Sequence, residues 1–206
     1  MTSLPPRIYL ASRSPRRRDL LRQIGVNFDV LVFRSGERGE DADVDETPFE
    51  NEPVERYVER LALTKAEAGF KRLHWRSLPF NPVLAADTTL ELDGAIIGKP
   101  TDAADATAIL QRLSGRTHRV LTAVAMSDGT KIRSRINVSE VRFRELKESE
   151  IRHYVASGEP MDKAGAYGIQ GHAAIFIEEI RGSYTGIMGL PLYETAQLLD
   201  TFGYPL

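Results

Sequence analysis

Ser12-Arg13-Ser14-Pro15-Arg16-Arg17-Arg18 sets two hydroxyls and four guanidinium groups within seven residues. The run follows Ile8-Tyr9-Leu10-Ala11, which reads as a buried strand, and precedes Asp19-Leu20-Leu21-Arg22-Gln23-Ile24-Gly25, which reads as a helix ended by glycine. Pro15 suits the first helical turn, where its missing N–H is not needed and its φ is already helical. Ser14 stands where a hydroxyl caps that turn. Hydroxyls, the free N–H groups of a helix start and arginines thus converge, and such a point attracts an anion, phosphate above all. The same arginines also read as a solvated basic face, as most charge runs do.

Other residues extend this chemistry. Asp87 follows the apolar Val83-Leu84-Ala85-Ala86, so it is expected at the C-terminal end of a short strand, where open α/β sheets hold ligands. A carboxylate there binds a divalent cation or takes a proton from water; its alternative is a cap on the next turn. Lys99 is held extended by Pro100 and suits a triphosphate beside that carboxylate, or plain solvent. Lys65, among Leu61, Ala62, Leu63 and Ala66, reads as a lysine snorkelling from the edge of the core. Tyr167 and Gln170 sit between glycines that let backbone approach a planar ligand, and an amide can read a nucleobase; the alternative is a flexible turn. Gly94-Ala95-Ile96-Ile97-Gly98-Lys99-Pro100 is not a Walker loop, since its glycine spacing is short and proline replaces the magnesium-binding hydroxyl. No G-x-S-x-G nucleophile elbow occurs, and His74, His118, His153 and His172 lack metal-ligand spacing.

The elements that must position these groups alternate between strand and helix. Strands are predicted at 27–33 and 83–86, helices at 54–70 and from Asp102 to about 113, and a tight hairpin at Asp93-Gly94. A longer hairpin turns at Asp128-Gly129, followed by a helix at 148–156, a glycine-containing loop at 159–171, a strand at 174–180 and a helix at 192–202. The sum is one α/β domain over 1–206 with a mixed sheet. Across its 206 residues, 42% are hydrophobic, 27% are charged and the net charge is -2, which gives no electrostatic case for nucleic acid or an anionic membrane as partner. With no cysteine there is no disulfide, thiol nucleophile or thiolate metal site, and no apolar run is long enough to span a bilayer. The expected setting is the cytoplasm.

Taken in order, the chain resembles the Maf family of nucleoside triphosphate pyrophosphatases. The resemblance rests on Leu10-Ala11-Ser12-Arg13-Ser14-Pro15-Arg16-Arg17, Ala86-Asp87-Thr88, Gly98-Lys99-Pro100, Leu113-Ser114-Gly115, the run 162–171, Gly182-Ser183-Tyr184 and Gly189-Leu190-Pro191-Leu192. It implies hydrolysis of a nucleoside triphosphate to monophosphate and pyrophosphate with Mg2+ or Mn2+, water attacking the α-phosphorus. In that scheme Asp87 matches the proton acceptor, working alongside the metal. Glu37 is the match for a further acidic ligand, with Asp45-Glu46 as rival. Lys65 and Lys99 match positions that stabilise phosphate charge, and Ser12 and Arg17 fall in the phosphate-binding segment. Arg16, Thr88 and Gln170 side with the branch acting on dTTP and UTP rather than 7-methyl-GTP. The implied architecture is a two-lobed, ITPase-like α/β structure with the site in a central cleft, commonly a homodimer. A second reading is a non-catalytic nucleotide- or RNA-binding regulator of cell division that uses the arginine cluster and has no need of Asp87.

Overall fold

The structure is a computed structural model and describes residues 6–32 and 44–206. Among these residues seven strands form one mixed sheet: β1 (Ile8–Ala11), β2 (Phe28–Val30), β3 (Val83–Leu92), β4 (Ala95–Ile97), β5 (Thr117–Ser127), β6 (Ile132–Phe143) and β7 (Ile177–Arg181). Their order is β2-β1-β3-β5-β6-β7, with β4 paired to the far end of β3. β1 is parallel to β2 and β3, while β3, β5, β6 and β7 are antiparallel. Among the described residues six α-helices flank the sheet: α1 (Pro15–Gln23), α2 (Val54–Trp75), α3 (Ala103–Leu113), α4 (Glu148–Ala156), α5 (Tyr184–Ile187) and α6 (Leu192–Thr201). None of the described helices is long and apolar enough to cross a membrane.

β3 departs from the sequence expectation in a way that matters for the site. It runs ten residues, so Asp87 lies in mid-strand, opposite Ala123 of β5, and not at a strand end. The strand continues through Asp87-Thr88-Thr89 because β5 supplies ladder partners as far as Glu91. It is β1 that stops: its pairing with β3 ends at Ala85, and the chain turns away into the Ser12 loop. Asp87 therefore stands just past the carboxyl end of the neighbouring parallel strand, where the rule for ligand sites still holds.

The two-residue period of β3 decides which helix each side chain meets. Val83 and Ala85 face α2, packing with Val58, Ala62, Ala66 and Leu73; Asp87 continues that face. Leu84 and Ala86 face α1 and α6, packing with Leu20, Leu21, Leu198 and Leu199; Thr88 continues that one. A second lobe is built where the far ends of β3, β5 and β6 (Leu90, Leu92, Val120, Val141, Phe143) pack against α3, α4 and the 159–176 segment. The cleft lies between the lobes.

Helix and strand limits otherwise differ at their ends. α2 extends to Trp75, five residues past the predicted stop at Phe70, because Arg72 and Leu73 keep its inner face buried. The last strand begins at Ile177, since His172–Phe176 forms a 3-10 helix that buries Ala173 and Phe176. Tyr184–Ile187, unassigned in the sequence reading, is a single helical turn capped by Ser183. β2 covers Phe28–Val30, shorter than predicted.

Candidate active site

A cavity of ≈ 550 Å³ opens between the lobes. The Ser12–Arg17 turn, the centre of β3, Lys99, the 162–169 segment and Gly189 line it, together with Glu46, Tyr57 and Lys65.

Lys65 joins the acidic groups. It lies on the inner face of α2, one residue from buried Ala66, which aims it at the β3 face that carries Asp87. Its Nζ donates to Asp87 Oδ1 at 2.6 Å and also to Glu46 Oε1. The lysine does not snorkel to solvent, because two carboxylates reach it at the floor of the cleft. Burial opposes its charge, but Asp87 and Glu46 outweigh burial and raise its pKa. Burial likewise opposes ionisation of Glu46, and Lys65, then Lys99 and Arg17, hold its carboxyl below the usual value. Tyr57, two helical turns before Lys65, donates its hydroxyl to the Glu46 carbonyl at 3.0 Å. Burial, with Asp87 and Glu46 adding to it, pushes that phenol up to about 12, so it remains a neutral donor.

Of the acidic candidates, Glu46 reaches the centre. Asp45 instead accepts the Thr47 N–H in an exposed turn, and Glu37 lies outside the described residues. Among the described residues no group of three or more His, Asp or Glu is placed to hold a metal ion. Asp87 and Glu46, both facing the cavity, supply two carboxylates, which is the protein share of a typical magnesium site completed by substrate phosphates.

The arginine-rich turn divides its labour. Arg17 is drawn inward: Nε donates to the Gly189 carbonyl at 2.7 Å, one terminal nitrogen to the Ala86 carbonyl at 2.7 Å and Ser12 Oγ at 3.3 Å, and the other to Thr88 Oγ1 at 3.1 Å. Ser12 Oγ also accepts the Ser14 N–H at 3.2 Å, and no described residue takes its own proton. Ser14 sits at the helix N-cap position, but its side chain makes no cap hydrogen bond, contrary to expectation. Arg16 and Lys99 line the cavity and make no hydrogen bond or ion pair with another described residue. Those two cations and the Ser12 hydroxyl are what this side of the cleft offers an anion.

Opposite lies the 159–171 segment, folded as two short 3-10 turns and not as a loose loop. Gly165 adopts φ +72 and donates its N–H to the Gly98 carbonyl at 2.9 Å; a Cβ there would fall 2.1 Å from a methyl of Leu90. This close approach ties the segment to the chain that carries Lys99. Tyr167 borders the cavity, but its ring is a core group: it packs edge-on to Phe143, and its hydroxyl meets His118 Nε2 at 2.8 Å. His118, assigned no role from sequence, is only 2% exposed, and burial pushes its pKa down to about 4, so it is neutral. Gln170 is exposed and lies beyond Ile169, outside the cavity lining. Glu159 braces the turn beneath it, accepting the Tyr154 hydroxyl at 3.0 Å and the His172 N–H at 3.1 Å.

The structure therefore brings together Ser12, Arg16, Arg17, Lys65, Asp87, Thr88 and Lys99 in one cleft, and leaves Gln170 at its rim. Tyr57 and Gly189 also line the cleft; the sequence offered neither as a candidate site residue, although Gly189 lies in a segment that carries the family resemblance. Tyr57 carried one signal, a polar-tipped ring in the apolar stripe of α2.

Residues 7–202 match the family described as Maf-like protein. A protein of Aromatoleum aromaticum called dTTP/UTP pyrophosphatase is 78% identical over the whole of both chains. Proteins with the same name from Dechloromonas aromatica (59% identical, 96% of this chain and 98% of that one) and Nitrosomonas europaea (55%, 95% and 94%) are also similar. Among solved structures, the Staphylococcus aureus Ham1 protein superposes with a TM-score of 0.51, covering 95% of this chain and 97% of its own, at 18% identity. That last likeness bears on the fold alone.

Proposed function

The chain belongs to the Maf-like protein family, and from that premise we propose that it hydrolyses dTTP and UTP to the monophosphate and pyrophosphate. The observation that carries the mechanism is the opposition, within one cleft, of the Asp87–Lys65–Glu46 cluster and the cations Arg16 and Lys99, which make no hydrogen bond or ion pair among the described residues. The nucleotide identity is supported by the relatives called dTTP/UTP pyrophosphatase, one of them 78% identical.

The triphosphate lies against the Ser12–Arg16 turn and Lys99, where guanidinium, ammonium and hydroxyl groups pair with phosphate oxygens. These cations act most strongly as charge builds on the departing pyrophosphate, so they favour the transition state over the bound substrate. Asp87 takes the proton of the water that attacks the α-phosphorus. Lys65 keeps that carboxylate oriented, donating to one oxygen and leaving the other for water. Asp87 and Glu46 are the residues that would hold a divalent cation, Mg2+ or Mn2+, which when bound neutralises phosphate charge and assists the water. Thr88, Arg16 and Gln170 set preference among bases.

The test is a nucleotide panel with the purified protein and Mg2+, scoring monophosphate and pyrophosphate separately. Release of dTMP and UMP with equimolar pyrophosphate, and little from ATP or 7-methyl-GTP, is the expected result. Binding of nucleotides or RNA without turnover across the panel would return the protein to the regulator reading.

A further inference from the structure

Arg17 and Thr88 were expected to contact substrate, yet their polar atoms are committed inside the protein. Arg17 spends four N–H directions on Gly189, Ala86, Ser12 and Thr88. Two of those acceptors, the Ala86 carbonyl and the Thr88 hydroxyl, belong to the residues on either side of Asp87.

The remaining hydrogen bonds have a forced direction. Thr122 stands opposite Thr88 in the β3–β5 register, with the two hydroxyl oxygens 2.9 Å apart. Thr122 gives its one proton to the Gly186 carbonyl at 2.8 Å, so Thr88 donates to Thr122. Arginine can only donate, so Thr88 accepts from Arg17. The chain runs in one sense, Arg17 to Thr88 to Thr122 to Gly186, and the Thr88 hydroxyl has no proton left for a nucleobase. Gly189 closes the circuit: at φ +107, a conformation glycine takes without strain, it turns its carbonyl onto Arg17 Nε.

We propose that Arg17, Thr88 and Thr122 form a hydrogen-bonded relay that fixes the backbone on both sides of Asp87 and the Gly186–Gly189 wall of the cleft, so that Arg17 and Thr122 are positioning residues for the hydrolysis. Thr122 is fully buried and does not line the cavity, so its effect reaches the substrate through Thr88 and Asp87. Thr88 then influences nucleotide choice by holding Arg17 and the wall, not by reading the base. The inference rests on the pyrophosphatase reading above.

The experiment compares steady-state kinetics with dTTP and UTP for the wild type, Thr122→Val, Thr122→Ser and Arg17→Lys, with thermal unfolding of each. Removing the Thr122 hydroxyl leaves the Gly186 carbonyl with the Gly189 N–H alone and takes from Thr88 its acceptor, and loss of one such contact in the transition state corresponds to a fall in kcat of about tenfold. KM is expected to stay within about threefold, and Thr122→Ser, which keeps the hydroxyl, to recover kcat. Arg17→Lys keeps a charge but has no planar fork, and is expected to lose kcat by about a hundredfold with KM little changed. Should Thr122→Val fail to fold, Arg17→Lys decides the point alone. A rise in KM at unchanged kcat in Arg17→Lys makes the arginine a phosphate ligand and overturns the proposal. Wild-type kinetics in a folded Thr122→Val, beside an active parent enzyme, overturn it equally. A wild-type protein silent on both nucleotides removes the pyrophosphatase reading and this inference with it.

Discussion

Acidification should loosen the cleft through His118, and the size of the effect follows from its burial. The imidazole is 2% exposed and edge-on to Phe143 and Tyr167; among the described residues its one hydrogen bond is to the Tyr167 hydroxyl and Nδ1 has no partner. Its pKa is about 4 in the native protein against 6.5 as the ordinary value. A histidine lowered on folding contributes stability that is complete above pH 6.5 and lost as pH falls toward 4, because the unfolded chain takes up the proton first. Between pH 7 and pH 5 this one group costs about 2 kcal/mol, and about 3 kcal/mol once both states are protonated. Urea unfolding at pH 7 and pH 5 measures it for the wild type and His118→Gln, which retains a hydrogen-bonding group beside Tyr167. Carboxylates elsewhere titrate alike in both proteins and cancel in the difference. The wild type should lose about 2 kcal/mol more than the variant. Equal losses, within roughly 0.5 kcal/mol, would refute the reasoning that a neutral buried imidazole holds the Tyr167 wall.

Three further outcomes are expected. Lys65→Met leaves Asp87 and Glu46 without their shared cation, and kcat for dTTP should fall by about 10²- to 10³-fold with the circular dichroism spectrum unchanged; a wild-type kcat would remove Lys65 from the mechanism. Asp102→Ala deletes the acceptor that caps α3 through the Asp105 N–H at 2.8 Å, and urea unfolding should show a loss of about 1 kcal/mol with kcat unaltered. Gln170→Glu, at the rim, should lower kcat/KM for dTTP and UTP relative to 7-methyl-GTP by about tenfold, and an identical ranking of nucleotides would take Gln170 out of base recognition.

Local rules carried the reading of the sequence a long way. Asp93-Gly94 forms the predicted hairpin turn, with both residues at positive φ, and Asp102 caps α3 as its side chain suggests. Those features depend on neighbours within four residues, which sequence displays directly. The cleft depends on partners far apart. Arg17 meets Gly189 across 172 positions and Ala86 across 69, so its change from exposed cation to internal brace could not be read from the run of arginines. The length of β3 was hidden for a similar reason: Asp87-Thr88-Thr89 looks like a strand's polar end until β5 supplies its partners. One clue was present, since Val83, Ala85 and Asp87 share a face by the two-residue period, and Lys65 lies in the stripe of α2 that covers it. His118 gave no signal because its environment consists of rings from two distant segments, Phe143 and Tyr167.

The most direct test of the account is where solvent oxygen goes. Hydrolysis of dTTP in water enriched in oxygen-18, with Mg2+ present, should place one heavy atom in dTMP and none in pyrophosphate, and Asp87→Asn should abolish the reaction while keeping the fold. Label in the pyrophosphate, release of dTDP with orthophosphate, or an Asp87→Asn variant with unchanged turnover would contradict attack at the α-phosphorus assisted by Asp87.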